Sequence, residues 1–96
     1  MTDTGIPLKI RVITPHGQAG SALCDSIRLI ISDDAQGKHG GSIGIHRGHE
    51  NAVISLAAGP VIGMLNGETV FSVNIKDGFA TVRNDLVTVV TDSLEE

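Results

Sequence analysis

The chain has 96 residues, of which 41% are hydrophobic and 19% are charged, and this balance excludes a disordered chain and suits one domain with a single core. Its formal net charge is −4 and its seven basic residues are dispersed, which argues against a nucleic-acid or anionic-lipid surface. The sequence has no apolar run near the ~20 residues that span a bilayer, and its one cysteine, Cys24, cannot form an internal disulfide. We therefore expect a soluble protein of a reducing compartment.

Short apolar segments with a period of two follow one another along the chain. Residues 8–12 alternate apolar and charged side chains, which is typical of a strand with one buried face. Similar segments recur about every 8 to 12 residues, with turn residues between them. The pattern predicts strands at residues 8–12, 18–24, 27–31, 53–56, 61–65, 68–75, 79–83 and 86–91.

The turn residues between these segments predict how the strands connect. Asn66-Gly67 lies between two apolar runs and predicts a type I′ hairpin, because both central positions of that turn need positive φ. Asp77-Gly78 predicts a second tight turn, and Asn84-Asp85 a third. The whole pattern indicates an all-β fold, an antiparallel β-sandwich or flattened barrel of about 8–10 short strands. Only residues 92–96 resemble the start of a helix.

A glycine-rich stretch lies in the middle of the chain, at residues 40–49. Its four glycines accompany two histidines and a short apolar pair, so it could be a catalytic loop, a metal loop, a sheet corner or a surface for a partner. We predict that Gly44 and Gly48 allow a sharp turn between strands. The polar residues 33–42 before them predict a long loop.

Candidate chemistry is sparse. His39, His46 and His49 could share a metal, but no second cysteine or well-placed acid completes a zinc site. No nucleophile motif is present, so we expect no catalytic residues, no metal and no cofactor. Lys76, beside Asp77-Gly78, offers one alternative: a lipoyl- or biotinyl-like carrier domain, which presents a modified lysine at a hairpin tip.

Some apolar residues fall out of phase with the expected core. Because successive side chains of a strand point to opposite faces, these residues cannot all be buried by one sheet. Some of them must line a second sheet, and others could form an interface with another chain. The residues in question are Ile30, Ile62, Met64, Leu86 and Val90.

Two ordered motifs resemble the epsilon subunit of F-type ATP synthase. Residues 41–49, GSIGIHRGH, resemble the Gly-x-Phe-Gly-Ile-Leu-Pro-Gly-His motif of that family. Residues 77–82, DGFATV, and 84–92, NDLVTVVTD, resemble its Gly-Gly-Phe-Leu-Glu-Val and Asn-x-Val-Thr-Val-Leu-Ala-Asp ending. The resemblance covers residues 8–92, with Arg47 at a usual proline and Glu50-Asn51 at a usual Ala-Pro.

The resemblance implies a mechanical role for a β-sandwich domain at residues 1–92. It implies a non-catalytic central-stalk (rotor) subunit that links the gamma subunit to the membrane c-ring and couples ion-driven rotation to ATP synthesis. Residues 93–96 would start the family's C-terminal helical hairpin, which we expect to be absent. The resemblance also implies a location on the cytoplasmic side of a bacterial or organellar energy-coupling membrane. There the protein would be a peripheral part of the complex and would meet the membrane only through the other subunits.

The same resemblance suggests which residues meet the gamma subunit or the c-ring. They belong to the polar stretch and to the second half of the glycine-rich stretch, while Gly44, Gly48, Asn66, Gly67, Asp77 and Gly78 are expected to form structural turns. The expected partner residues are Asp33, Asp34, Lys38, His39, Ser42, His46, Arg47, His49 and Glu50.

Overall fold

The structure is a computed structural model that describes residues 8–33, 38–92 and 94–95, and these residues form ten β-strands. No helix long and apolar enough to cross a membrane occurs among them. The strands are β1 (Leu8–Thr14), β2 (Gly17–Cys24), β3 (Ser26–Asp33), β4 (Lys38–His46), β5 (Ala52–Leu56), β6 (Gly59–Leu65), β7 (Glu68–Ile75), β8 (Gly78–Arg83), β9 (Leu86–Val90) and β10 (Leu94–Glu95). The predicted all-β class is confirmed, and each of the eight sequence-predicted segments overlaps a strand.

The strands form two sheets that face each other. Sheet A has the order β2-β1-β9-β8-β5, and sheet B has the order β4-β3-β6-β7-β10. Strand β3 joins them, because Ile31 in its second half pairs with Leu56 of β5 and the Ala57 N–H donates to the Ile30 carbonyl at 3.0 Å. The sandwich is therefore closed along one side like a flattened barrel.

One strand pair departs from the antiparallel expectation. Strands β1 and β9 are parallel, from Lys9 opposite Leu86 to Ile13 opposite Val90, whereas the other described pairs are antiparallel. A hairpin forces its two strands to be antiparallel, but β1 and β9 are far apart in sequence and have no such constraint. Alternation within each segment is the same for either direction, so the sequence pattern could not reveal it.

The core lies between the sheets and consists of alternate side chains of the strands, those that point inwards. Pairs such as Val82 opposite Val87 in sheet A and Ile27 opposite Ile45 in sheet B are fully or almost fully buried. The fully buried group also contains Leu8, Ile10, Val12, Cys24, Leu29, Val61, Ile75 and Val89.

The other side of the sandwich closes where β2 approaches β6 and β7, and two inward-facing glycines lie there. A Cβ at Gly63 would lie 3.2 Å from the Cys24 sulfur, and a Cβ at Gly20 would lie 3.0 Å from the Phe71 ring. The Asp25 N–H donates to the Met64 carbonyl at 2.8 Å on the same side. Glycine at these positions gives the two sheets room to meet around Phe71.

Two of the three predicted turns are hairpins. Asn66 and Gly67 have φ of 54° and 82° and connect β6 to β7 with Leu65 opposite Glu68, as a type I′ turn requires. Asn84 and Asp85 have φ of 51° and 63° and connect β8 to β9 in the same way.

The remaining predicted turn, at Asp77-Gly78, is not a hairpin. It lies where the chain passes from β7 in sheet B to β8 in sheet A, and these strands do not pair. Gly78 has a φ of 150°, and a Cβ there would collide with the Val90 carbonyl oxygen. The glycine is therefore needed for a close approach of two backbones.

The glycine-rich stretch is mainly a strand, so the expected corner at Gly44 is wrong. Gly44 lies within β4 opposite Arg28, and a Cβ there would meet only the His46 ring at 3.7 Å. Gly48, with a φ of 83°, does lie in a turn after β4. The predicted long loop is also too long, because Lys38 to Ser42 belong to β4 and pair with β3, while Asp34 lies outside the described residues.

The expected helix start at residues 92–96 is wrong where the structure describes it. Leu94 and Glu95 form β10 and pair with Ile75 and Asn74 of β7. The edge of β7 offers backbone partners to the chain here. A short polar sequence cannot reveal that a strand edge lies within reach.

Candidate partner-binding surface

The outward face of sheet A combines apolar and basic side chains. The register aligns its outward residues in three rows across the strands. The first row runs from Ser55 through Phe79, Val90 and Ile13 to Gln18, the second from Val53 through Thr81, Thr88 and Arg11 to Ser21, and the third from Arg83 through Leu86 and Lys9 to Leu23. We call these residues the outer face of sheet A.

This face holds three of the four large hydrophobic side chains that are exposed in the described part of the chain. Val53 is 76% exposed, Leu23 is 54% exposed and Phe79 is 42% exposed. The fourth, Val70, belongs to β7 in sheet B. Single exposed hydrophobic residues are ordinary, but several on one face of a sheet are typical of a surface that another molecule covers.

The charges on this face are all basic. Lys9, Arg11 and Arg83 lie in its second and third rows, and none of the three rows contains an acidic residue. The Arg11 Nε–H donates to the Thr88 hydroxyl oxygen at 3.1 Å, which holds this guanidinium across the neighbouring strand. The face therefore differs in sign from the whole chain, whose net charge is −4.

Acidic residues lie around the rim of this face and not in its three rows. Asp77 and Asp92 line an open hollow beside Phe79 and Val90, at the first-row end. At the third-row end, the Asp85 carboxylate accepts a hydrogen bond from the Gly48 N–H at 2.7 Å. That bond ties the β8–β9 turn to the turn after β4, so one oxygen of Asp85 is already engaged.

The sequence-predicted partner residues lie elsewhere, in two groups. Asp33 pairs with Lys38 and Ser32 with His39 at the far end of the β3–β4 hairpin. Ser42 and His46 lie on the outward side of β4 in sheet B, where the Arg28 guanidinium donates to the Ser42 hydroxyl at 3.2 Å. The structure therefore separates this predicted set from the outer face of sheet A.

The second group forms the turn between β4 and β5. Arg47 and Glu50 are exposed, and His49 is half-buried. The His49 N–H donates to the His46 carbonyl at 3.2 Å, and the His49 Nδ1 lies 2.7 Å from the Glu50 carbonyl oxygen. The turn is thus held by local hydrogen bonds and by Asp85.

The residues considered for chemistry do not converge. Across the described residues, no three side chains of His, Cys, Asp or Glu come close enough to hold a metal ion. The carrier alternative loses its premise, because Lys76 lies in a bend between two sheets and not at the tip of a hairpin.

Cys24 is buried at the seam between the sheets. Burial raises the pKa of its thiol, and the nearby Asp25 carboxylate raises it further. The thiol therefore stays protonated near neutral pH and is a poor nucleophile.

Sequence reasoning placed Leu86 and Val90 out of phase with the core, and both are half-buried on the outer face of sheet A. It missed Phe79, Val53 and Leu23. The signal for Phe79 was present, because Ala80 and Val82 are the buried phase of β8 and Phe79 must then point outwards. Only the register shows that all these residues share one face.

Comparison with known protein families matches residues 7–96 to the family described as "ATP synthase, Delta/Epsilon chain, beta-sandwich domain". A search of curated proteins found no match. Among solved structures, the fold is similar to a chain of the Euglena gracilis mitochondrial ATP synthase (OSCP/F1/c-ring), with a TM-score of 0.71 and 22% identity over 99% of this chain and 57% of that one.

A second similar structure is a chain of the Tetrahymena thermophila mitochondrial ATP synthase (central stalk/c-ring). It has a TM-score of 0.65 and 13% identity over 92% of this chain and 65% of that one. The chain thus spans less than two thirds of the length of both relatives. At these identities the structural likeness concerns the fold alone.

Proposed function

Because the chain belongs to the delta/epsilon β-sandwich family of ATP synthase, we propose that it is a non-catalytic central-stalk subunit of an F-type ATP synthase. In this role it links the gamma subunit to the membrane c-ring and turns with them, so that ion-driven rotation is coupled to ATP synthesis. The observation that carries the proposal is the family match over residues 7–96, which covers every described strand.

The distribution of surfaces supports a role in binding. A rotor joint that must not slip needs a standard or larger interface, on the order of 1,600 Å² in total, with apolar contacts and a polar rim. The apolar and basic outer face of sheet A fits that description. Two open hollows are lined by residues of this face. One is the hollow beside Phe79 and Val90, and the other is lined by Val53, Thr81 and Arg83.

The contacts with gamma and the c-ring extend to the β3–β4 hairpin and the turn after β4. These segments carry charged and polar groups suited to the polar rim of an interface, with Arg47 and Glu50 exposed. The proposed contact residues are Asp33, Asp34, Lys38, His39, Ser42, His46, Arg47, His49 and Glu50. The protein is then a peripheral part of the complex on the cytoplasmic side of a bacterial or organellar membrane, and it meets the membrane only through the c-ring.

Co-purification tests the proposal. A tagged chain, co-expressed with the gamma subunit and the c subunit from the same source, should retain both through size-exclusion chromatography. We expect Arg47→Ala with Glu50→Ala to lower the retained fraction while the free energy of unfolding stays within ~0.5 kcal/mol, because both side chains are exposed.

Thr69→Ala, on the exposed start of β7, is the matched control and should retain both partners like the wild type. A correctly folded wild-type chain that binds neither gamma nor the c-ring would rule out the proposed role.

A further inference from the structure

We infer that the outward face of sheet B contains a binding site for a phosphate group, formed around Gly44 by Arg28, Ser42 and His46. The phosphate group is that of inorganic phosphate or of a lipid headgroup, which share this chemistry and which the experiment separates. The inference goes beyond the proposed function, because it concerns a small anion and is tested on the free chain. Arg28 and Gly44 are not among the proposed contact residues.

Gly44 leaves an open position on this face that the fold does not require. It is exposed within β4, and its φ is not in the left-handed region. A Cβ there would be in ordinary van der Waals contact with the His46 ring, at 3.7 Å, so a larger residue would fit. A strand glycine that the backbone does not need is typical of a place where a ligand approaches closely.

Arg28 brings a positive charge directly beside this opening. It lies on β3 opposite Gly44, and its side chain is exposed. The Arg28 Nη1–H donates to the Ser42 hydroxyl oxygen at 3.2 Å. Because the hydroxyl is neutral, this bond orients the guanidinium without neutralising it. A guanidinium has several N–H donors, so one such bond leaves others to hold an anion.

His46 borders the opening from the other end. Its Cε1 atom, which lies between the two ring nitrogens, is 3.7 Å from the place of a Cβ at Gly44, so a ring N–H can reach a ligand there. Ser42 and His46 are two residues before and after Gly44 and therefore share its face. Donors thus surround the opening on three sides, which suits a tetrahedral phosphate, whereas a guanidinium fork alone satisfies a carboxylate.

The outward positions around the opening contain no acidic residue among those that the structure describes. Asp25 precedes β3, but its carboxylate accepts a hydrogen bond from the Asn66 N–H at 2.9 Å in the β6–β7 turn. The patch therefore attracts an anion although the net charge of the chain is −4. Its outward neighbours on β3, β6 and β7 are Ser26, Ile30, Ile62, Met64 and Ser72.

NMR titration of the free chain with inorganic phosphate, at constant ionic strength, tests the site. We expect saturable shifts of the amide signals of Ser42, Gly44 and His46 with a Kd of about 1 mM, since one guanidinium and a few hydrogen bonds give weak binding. Arg28→Gln should weaken binding by about tenfold, because it removes the charge. Lys76→Gln removes the same charge in the bend between β7 and β8 and should change binding less than ~2-fold.

Two further variants test the geometry. Gly44→Val keeps every donor but fills the opening, so it should weaken phosphate binding by about tenfold while the NMR spectrum remains that of a folded chain. His46→Leu should weaken it by about threefold through the loss of one hydrogen bond. Unchanged binding by Gly44→Val, or equal losses in Arg28→Gln and Lys76→Gln, would overturn the inference.

Vesicles separate the two sources of the phosphate group. The chain is sedimented with phosphatidylcholine vesicles that contain or lack phosphatidate. Saturable binding of inorganic phosphate supports the free anion as the ligand. Binding only to phosphatidate vesicles, lost in Arg28→Gln, supports the lipid headgroup. Binding to neither overturns the inference. A chain that fails to assemble with gamma and the c-ring refutes the proposed function but leaves these measurements unaffected.

Discussion

The outward faces of the two sheets differ although both sheets cover the same core. The outer face of sheet A exposes Val53, Phe79 and Leu23 and contains basic but no acidic residues. On sheet B, Val70 is exposed as well, but Ile30, Ile62 and Met64 are half-buried. Their polar neighbours include Ser26, Ser72 and His46. The inward phase of the alternation makes the two sheets alike, and the outward phase makes them different.

Because of this difference, we expect inward side chains to determine the stability of the fold and exposed outward side chains to be available for binding. A side chain on an inward position contributes to folding because it is packed between the sheets, whereas an exposed outward side chain has few contacts to lose. We therefore expect the same substitution to have different effects on different faces. Two experiments test that expectation and a third concerns the seam between the sheets, in order of decreasing effect on the free energy of unfolding.

The largest effect compares valine at two strand glycines of sheet B. Gly63 faces inwards, where a Cβ would lie 3.2 Å from the Cys24 sulfur and 3.4 Å from the Phe71 Cβ, so Gly63→Val should lower the free energy of unfolding by about 3 kcal/mol through overpacking. Gly44 faces outwards with only the His46 ring within 4 Å, so Gly44→Val should change it by less than ~0.5 kcal/mol. Urea denaturation measures both. Similar losses in the two variants would contradict the assignment of Gly44 to an open strand position.

A smaller effect compares serine at two outward apolar positions. Ile62 is half-buried between Arg28 and Ser72 of the neighbouring strands, so Ile62→Ser should cost about 1 to 2 kcal/mol of lost apolar burial. Val53 is 76% exposed, so Val53→Ser should cost less than ~0.5 kcal/mol. Thermal unfolding followed by circular dichroism distinguishes the two. A loss at Val53 as large as that at Ile62 would mean that the outer face of sheet A supports the fold itself.

The smallest effect concerns pH and the seam where the sheets meet. Because the folded state raises the pKa of the Cys24 thiol, it binds the thiol proton more tightly than the unfolded chain does. That stabilisation is complete below the ordinary thiol pKa of about 8.5 and is lost as the pH rises towards the folded-state pKa. We therefore expect the free energy of unfolding to fall as the pH rises above about 8.5.

Cys24→Ala provides the control for that pH dependence. It should unfold more easily at neutral pH, because it leaves a cavity beside Gly63, but its stability should fall less between about pH 8 and 10 than that of the wild type. Urea titrations at each pH measure the two slopes. Identical slopes would show that the Cys24 thiol is not responsible.

Local chemistry explains which parts of the fold were predictable. The Asn66-Gly67 and Asn84-Asp85 turns were identified correctly because positive φ at both central positions is a local requirement of a type I′ hairpin. The Asp77-Gly78 turn was located correctly, but its residue types did not show that the chain passes here from one sheet to the other. The difference lies in which strands pair, and that is decided by residues far apart in the chain.

The candidate surface on sheet A was predictable to a smaller extent. Leu86 and Val90 were placed outside the core from their phase, but Phe79 and Val53 were not identified. The expected partner residues lie on other surfaces and stay a prediction. Phase assigns a side chain to a face of its own strand. It does not say which strands are neighbours, so a face built from five strands cannot be assembled from separate segments.

By itself, the sequence determined that this chain is an all-β domain with a single core, because alternation with a period of two and the turn residues act over a few positions. Its ordered motifs also pointed to the family that the comparison over residues 7–96 then matched. Only the tertiary structure decided that β1 and β9 are parallel, that Gly44 lies in a strand and that Val53 and Phe79 share a surface with Lys9 and Arg83. These features depend on backbone pairing between distant segments, for which the local pattern contains no information.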